Sequence, residues 1–266
     1  MLDIIYSYTA HEEPEVFIDT LRNLFYYNSN LDIAVVVHCN IYMYDALKKI
    51  DIENKYKNVY LTDSPYNKTF GTFKTITQPH IDNFLYCKKL GIISKYIIQL
   101  ASNCYFHKHI TSDLVDMYMS SRASIKQEFN YSTWAWPNIL KNKVINTILS
   151  SNGINYLCCN HHEGTIIEYT IMNSITDIIV SNELSKKIEY ETVFEEYLFA
   201  SIYYHLTGFH IASICHIFWD KPGYQPSIKD ILACDAPVVK RVDRKKTNII
   251  RMWQNKLTSN YEEKFL

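Results

Sequence analysis

The chain predicts an α/β fold, a mainly parallel sheet flanked by helices, on two observations. Four short apolar runs between Ile4 and Phe106 each end in polar residues, and stretches with helical spacing separate or follow them. Strands that alternate with helices build parallel sheets covered on both faces. The second observation is compositional. The 266 residues are 47% hydrophobic and 21% charged, which suits a chain that buries a sizeable core and excludes disorder as its main state.

The elements follow in order. IIYSYTA, Ile4 to Ala10, is a buried strand. EEPEVFIDTLRNLFYYN is a helix with Pro14 in its first turn and Phe17, Leu21, Leu24 and Phe25 on one face. DIAVVVHCN, Asp32 to Asn40, is a second buried strand, MYDALKKI a short helix and NVYLTD, Asn58 to Asp63, a third strand. TFGTFKTITQPHIDNFLYCKKLG reads as a long helix bent near Pro79 and stopped at Gly91. KYIIQLASNCYF, Lys95 to Phe106, is the fourth strand, and SDLVDMYMSS opens the next helix with a Ser/Asp cap. Further on, GTIIEYTIMNSITDIIVSN is a strand leading into a helix, VFEEYLFASIYYHL an amphipathic helix, CHIFWDKPGYQP a short strand and turn, and DAPVVKRVDRKKTNIIRMW a basic, helical tail. No repeat or linker interrupts the chain, so one domain over 1–266 is expected, with a nucleotide-binding half at 1–119 and an acceptor and catalytic half at 120–266.

Charge and targeting exclude several function classes. Lys plus Arg is 27 against 28 for Asp plus Glu, a balance that argues against nucleic acid or an anionic membrane as the main partner. No signal peptide and no membrane-length apolar run is present. Seven cysteines lack paired spacing and point to reduced thiols and a cytoplasmic location. Twenty-two tyrosines fit either a surface that stacks on flat ligands and sugar rings or a biased genome.

In open α/β sheets ligands bind beyond the carboxyl ends of the strands. Those ends are Thr9-Ala10-His11, His38-Cys39-Asn40, Thr62-Asp63-Ser64 and Ser102-Asn103-Cys104. There is no GxGxxG and no GxxxxGK[ST], so any phosphate must be held by side chains. The one basic cluster runs from Lys240-Arg241 through Arg244-Lys245-Lys246; it is either a phosphate site or a solvated charge run. Glu195-Glu196 at a helix start offers a general base at a crevice or ordinary helix-start charge. WAWP, Trp134 to Pro137, is a sugar platform or a packed corner. HKH (His107, His109) and HHEG (His161 to Gly164) lack a third ligand at a metal-site spacing.

Taken in order, these segments resemble the core-2/I-branching β-1,6-N-acetylglucosaminyltransferase family, which includes peptide O-xylosyltransferases. IIYSYTAHEEPEVFIDTLRNL is similar to its first strand and helix, IAVVVHCN to its second strand ending His-x-Asp, and VYLTDSPYNKTFGTFKTI to its third strand followed by Trp-Gly. YIIQLASNCYFHK, GTIIEYTIMNSITDII, VFEEYLFAS and FWDKPGYQPSIKDILACDAPVVKRVD match later segments in sequence order.

The resemblance implies a GT-A-type glycosyltransferase fold and inverting transfer from a UDP-sugar to a glycan or glycoprotein hydroxyl. Glu196 aligns with the general base, and Lys240 and Arg241 with a basic pair that holds the diphosphate. Ala10 and His11 lie where the nucleoside meets the first strand, and Asn40 replaces a nucleoside-contacting Asp. Glu195, Trp134 and Trp136 are read as acceptor-facing. Cys104-Tyr105-Phe106 replaces Asp-Tyr-Pro, and no Asp-x-Asp occurs, so no metal or other cofactor is expected. The rival reading is a non-catalytic carbohydrate-binding protein on a decayed transferase scaffold.

Overall fold

The computed structural model describes residues 1–63, 76–122, 142–155, 157–184, 194–221, 223 and 225–258, without the side chains of 194 and 195. A six-stranded sheet has the order β3-β2-β1-β4-β6-β7. Its strands are β1 (Leu2–Ala10), β2 (Ile33–Cys39), β3 (Val59–Leu61), β4 (Ser94–Ala101), β6 (Thr165–Glu168) and β7 (Ala212–Ser213). The first four are mutually parallel; β6 runs antiparallel to β4, and β7 antiparallel to β6. The expected α/β class with a mainly parallel sheet is therefore present.

Alternation along β1 sorts the two cores. Ile4, Tyr6 and Tyr8 pack with Phe17, Leu21 and Leu24 of α1 (Pro14–Tyr27) and with Met43 and Leu47 of α2 (Ile41–Lys49). Ile5 points the other way, into a core shared with Phe84 of α4 (Thr77–Leu90), Ile148 of α6 (Lys143–Ser151), Met172 of α7 (Tyr169–Ser181) and Ile202 of α8 (Phe194–Thr207). Every residue of β2 is buried, as a parallel strand covered on both faces requires. Two short helices complete the first layer, α3 (Ile52–Lys55) and α5 (Ser112–Ser120).

Several local expectations are corrected. The fourth apolar run is two strands. β4 stops at Ala101, and Cys104–Phe106 forms β5 in a second sheet of order β5-β9-β8, with β8 at Cys215–Ile217 and β9 at Val238–Lys240. The described helix α4 begins at Thr77, so Pro79 lies in its first turn, where a missing N–H costs nothing; the earlier part of the expected helix lies outside the described residues. Gly91 does close it, at φ +68°. The cap of α5 is Thr111, whose side chain accepts from Leu114 N. α8 is not amphipathic through its middle: Tyr197 to Tyr203 are buried without a break. The basic run lies before the last helix, α10 (Ile249–Thr258), and not within it. A short helix α9 (Ile228–Leu232) carries a Ser227/Asp230 capping box.

One segment matters most for the site. After β9 the chain turns at Arg241, whose φ of 86° costs roughly 1–2 kcal/mol for a residue with a Cβ. Val242 N donates to Asn103 O at 3.3 Å, and Asn248 N to Lys245 O at 2.9 Å. Arg251 of α10 is fully buried. It ion-pairs with Asp19 of α1 at 2.9 Å, donates to Asp243 O at 2.7 Å and lies over the Tyr105 ring. The segment 240–248 is thereby tied at both ends to the first helix and the second sheet.

Candidate active site

The carboxyl ends of β1 and β2 open into a cleft of about 730 Å³. His11, Glu12, Asn40 and Tyr42 line one side, and Arg244, Lys245 and Lys246 the other. Lys245 and Lys246 are exposed, while Arg244 is half-buried and donates from Nε to Ser102 Oγ at 2.6 Å. Burial, with the Arg244 charge beside it, pushes the His11 imidazole down to about 4. Asn40 Oδ1 accepts from Met43 N at 2.9 Å and caps α2, which leaves the donor end of its amide for a ligand. Ala10 is buried beneath this surface and supports His11 without lining the cleft.

Glu12 lines the cleft beside His11. Its Oε2 accepts from His11 N at 3.0 Å, and its Oε1 is buried with no hydrogen-bond partner. Burial raises its carboxyl above the ordinary range, opposed by hydrogen bonds from the His11 and Glu12 backbone and from Ser102.

Glu196 lies in a different group. Its Oε1 meets His161 Nδ1 at 3.2 Å, and its backbone carbonyl accepts from Asn160 N at 2.7 Å. The His161 ring is 5.5 Å from that of Trp219, and the Arg241 guanidinium lies 4.0 Å over the indole, a cation–π geometry. This corner gathers a carboxylate, an imidazole, an indole and a guanidinium.

Lys240, expected at the diphosphate, is turned inward. Its Nζ pairs with Glu163, whose carboxylate is fully buried. Burial alone would raise that carboxyl; His162 and the Lys240 ammonium outweigh it and hold Glu163 down at about 2. Behind it a polar chain continues: His162 Nε2 is 3.4 Å from Glu163, the His80 ring is tilted 5.5 Å from that of His162, Ser7 Oγ meets His80 Nδ1 at 2.8 Å, and Asn83 donates to Ser7. Gly164 permits this arrangement. Its φ is +74°, and a Cβ there would stand 2.4 Å from Cys215 Cβ, so no other residue fits without moving the backbone.

The structure thus brings His11 and Asn40 together with the far end of the basic run, and Arg241 with the surroundings of Glu196. It does not place Lys240, Arg241 or Glu196 on the cleft lining. The two groups are nonetheless close along the chain: Arg241 and Arg244 are three residues apart, a span of at most about 11 Å. Trp134 and Trp136 lie outside the described residues, as does the side chain of Glu195.

Sequence reasoning missed Glu12 and Arg251, and weighed Glu163 only as part of the HHEG motif. Glu12 had one signal, an acidic residue directly after a strand's carboxyl end. The pairing of Glu163 with Lys240 and of Arg251 with Asp19 had none, because the partners are 77 and 232 residues away. His107 contacts Ala236 O, His109 packs on Tyr26 and Tyr27, and both follow β5 without belonging to a strand. Among the described residues no three ligating side chains gather to hold a metal ion, and no helix is long and apolar enough to cross a membrane. No disulfide joins cysteines among the described residues.

No protein-family model matches the sequence, and no curated protein matches it. Among solved structures, the chain is similar to the galactosyltransferase LgtC crystallised with donor and acceptor sugar analogues, at 12% identity and a TM-score of 0.43, covering 97% of this chain and 95% of that one. It is also similar to the glycosyltransferase GlyE of Streptococcus pneumoniae, at 10% identity and a TM-score of 0.34, over 100% of this chain and 63% of that one. Scores this low assign no residue role.

Proposed function

We propose that the protein is a metal-independent, inverting glycosyltransferase of GT-A type, one domain in extent, that moves a sugar from a nucleotide donor, a UDP-sugar, to a glycan or glycoprotein hydroxyl. The observation that carries the reading is the cleft at the carboxyl ends of β1 and β2, where His11 and Asn40 face Arg244, Lys245 and Lys246. A nucleoside diphosphate needs this combination of amide and ring donors with a cationic wall, and the ordered resemblance along the chain points to the same class of ligand. Seven cysteines without paired spacing support work in the cytoplasm.

In this reading Glu196 takes the proton of the acceptor hydroxyl as its oxygen attacks the anomeric carbon from the face opposite the diphosphate. His161 holds the carboxylate's orientation through its Nδ1 contact. Charge develops on the leaving diphosphate, and the cationic wall stabilises it without reorganising, an electrostatic contribution. The phosphate-holding role thereby moves four to six residues along the basic run from Lys240. Glu195, Trp134 and Trp136 remain the proposed acceptor contacts.

UDP release from a panel of UDP-sugars, with and without glycan acceptors, tests the reading. Acceptor-dependent release is expected, and it persists in excess EDTA. A chain that binds a glycan yet releases no UDP from any donor would be the carbohydrate-binding protein of the rival reading. Activity lost to EDTA and restored by Mn²⁺ would remove metal independence.

A further inference from the structure

A carboxylate in a cleft built for an anion requires an explanation. Like charges a few ångströms apart repel by about 1 kcal/mol even in water and by more in a partly desolvated site. Glu12 lines the same cleft as Arg244, Lys245 and Lys246. It does not serve the adjacent helix, because the first amides of α1 turn to Glu13 O and Glu12 Oε2 is held by His11 N. Its second oxygen, Oε1, is buried and unpartnered. An orphaned buried acceptor of this kind costs about 1–3 kcal/mol, and a ligand that donates to it recovers that cost.

The lining narrows the ligand. Arg244 donates from Nε to Ser102 Oγ at 2.6 Å and lines the same cleft as Glu12. The ligand must carry a hydroxyl or N–H donor for the carboxylate beside an anionic group for the basic run. A ribose bearing a 5′-phosphate does so; inorganic pyrophosphate does not.

We propose that Glu12 is the residue that reads the nucleoside, its Oε1 accepting a hydrogen bond from a ribose hydroxyl while the basic run takes the phosphates. This rests on the cleft being the donor site. It makes Glu12 a filter: a bare polyphosphate meets an unpaired negative charge, and only a ligand with a correctly placed hydroxyl cancels it.

Calorimetry on the full-length chain with UDP, pyrophosphate and 2′,3′-dideoxyuridine 5′-diphosphate separates the outcomes. Glu12→Ala should weaken UDP at least tenfold and leave pyrophosphate unchanged or tighter. Dideoxy-UDP should bind the wild type as weakly as UDP binds Glu12→Ala, with no further loss when the two changes are combined. A parallel fall for UDP and pyrophosphate would make Glu12 a structural residue, and losses that add would place the hydroxyl contact elsewhere; either overturns the proposal. Melting curves of Glu12→Ala and Glu12→Gln guard against unfolding. If wild type binds neither UDP nor pyrophosphate, the donor-site reading itself falls, and Glu12 with it.

Discussion

The two ends of the basic run, Lys240 and Arg244 to Lys246, are chemically alike and physically different. Lys240 leaves a strand of the second sheet and meets Glu163, which is buried completely. Lys245 and Lys246 project from a turn into an open cleft. A buried carboxylate demands a fixed partner, so the charge on Lys240 is committed to the fold. Cations on an exposed turn have no such obligation and are the ones a ligand can use. Charge count in a sequence does not distinguish these cases; burial of the partner does.

The sharpest way to break this contrast is Lys240→Met. It strands a buried negative charge and should cost about 3–5 kcal/mol of stability, visible as a Tm lowered by roughly 10 °C. Pairing it with Glu163→Gln should recover part of the loss. If Lys240→Met melts like the wild type and instead loses UDP binding, Lys240 faces the diphosphate and the contrast is wrong.

Glu196→Gln addresses the corner next to Arg241. Transfer should fall by about two orders of magnitude or more, the scale of general-base catalysis, with UDP affinity and Tm unchanged. Normal turnover in this variant, with Glu195→Gln inactive, would move the base by one residue.

At the cleft end, Lys245→Ala and Lys246→Ala should each weaken UDP by about tenfold, near the low end for a hydrogen bond to a charged group. The loss should shrink as salt rises, because these side chains are exposed. Neither should move the Tm, and a destabilised variant would show that the turn is structural.

A further effect is a pH dependence. His11 titrates at about 4 in the folded protein against about 6.5 unfolded. The unfolded chain therefore binds more protons between those values, and stability falls as pH drops from about 6.5 to about 4. His11→Gln should flatten that part of the Tm–pH curve. Glu163 acts lower: held at about 2, it contributes stability above its unfolded value, lost as pH falls from about 4.5 toward 2. A His11→Gln curve that superimposes on the wild type would show that His11 is not desolvated in solution.

The parallel half of the fold was legible because its strands are continuous apolar runs with helical stretches between them, and the cleft was anticipated at the strand ends that carry His11 and Asn40. The break at Ser102-Asn103 was not legible. The residues on either side are equally apolar, and only the arrival of β9 beside Cys104 pulls β5 into another sheet. The same holds for the basic run: its existence is plain in the sequence, whereas its division between an interior partner and a surface cleft depends on HHEG folding inward 77 residues upstream. Asn40 illustrates a subtler limit. It stands in the expected place, yet its oxygen is already occupied by the helix it caps.

The anchoring of Arg251 on Asp19 has a consequence for how the protein folds. The cleft's two walls come from opposite ends of the chain, residues 11–46 and 244–247, and the clasp that holds them spans 232 positions. Contacts of such separation close large loops and tend to form slowly. The parallel strands can assemble from local units, but the ligand-facing surface exists only after the last helix has docked on the first. A bound nucleotide would bridge both walls and stabilise the native state by mass action, so occupancy would protect most strongly the late-docking helix that contributes no atom to the cleft.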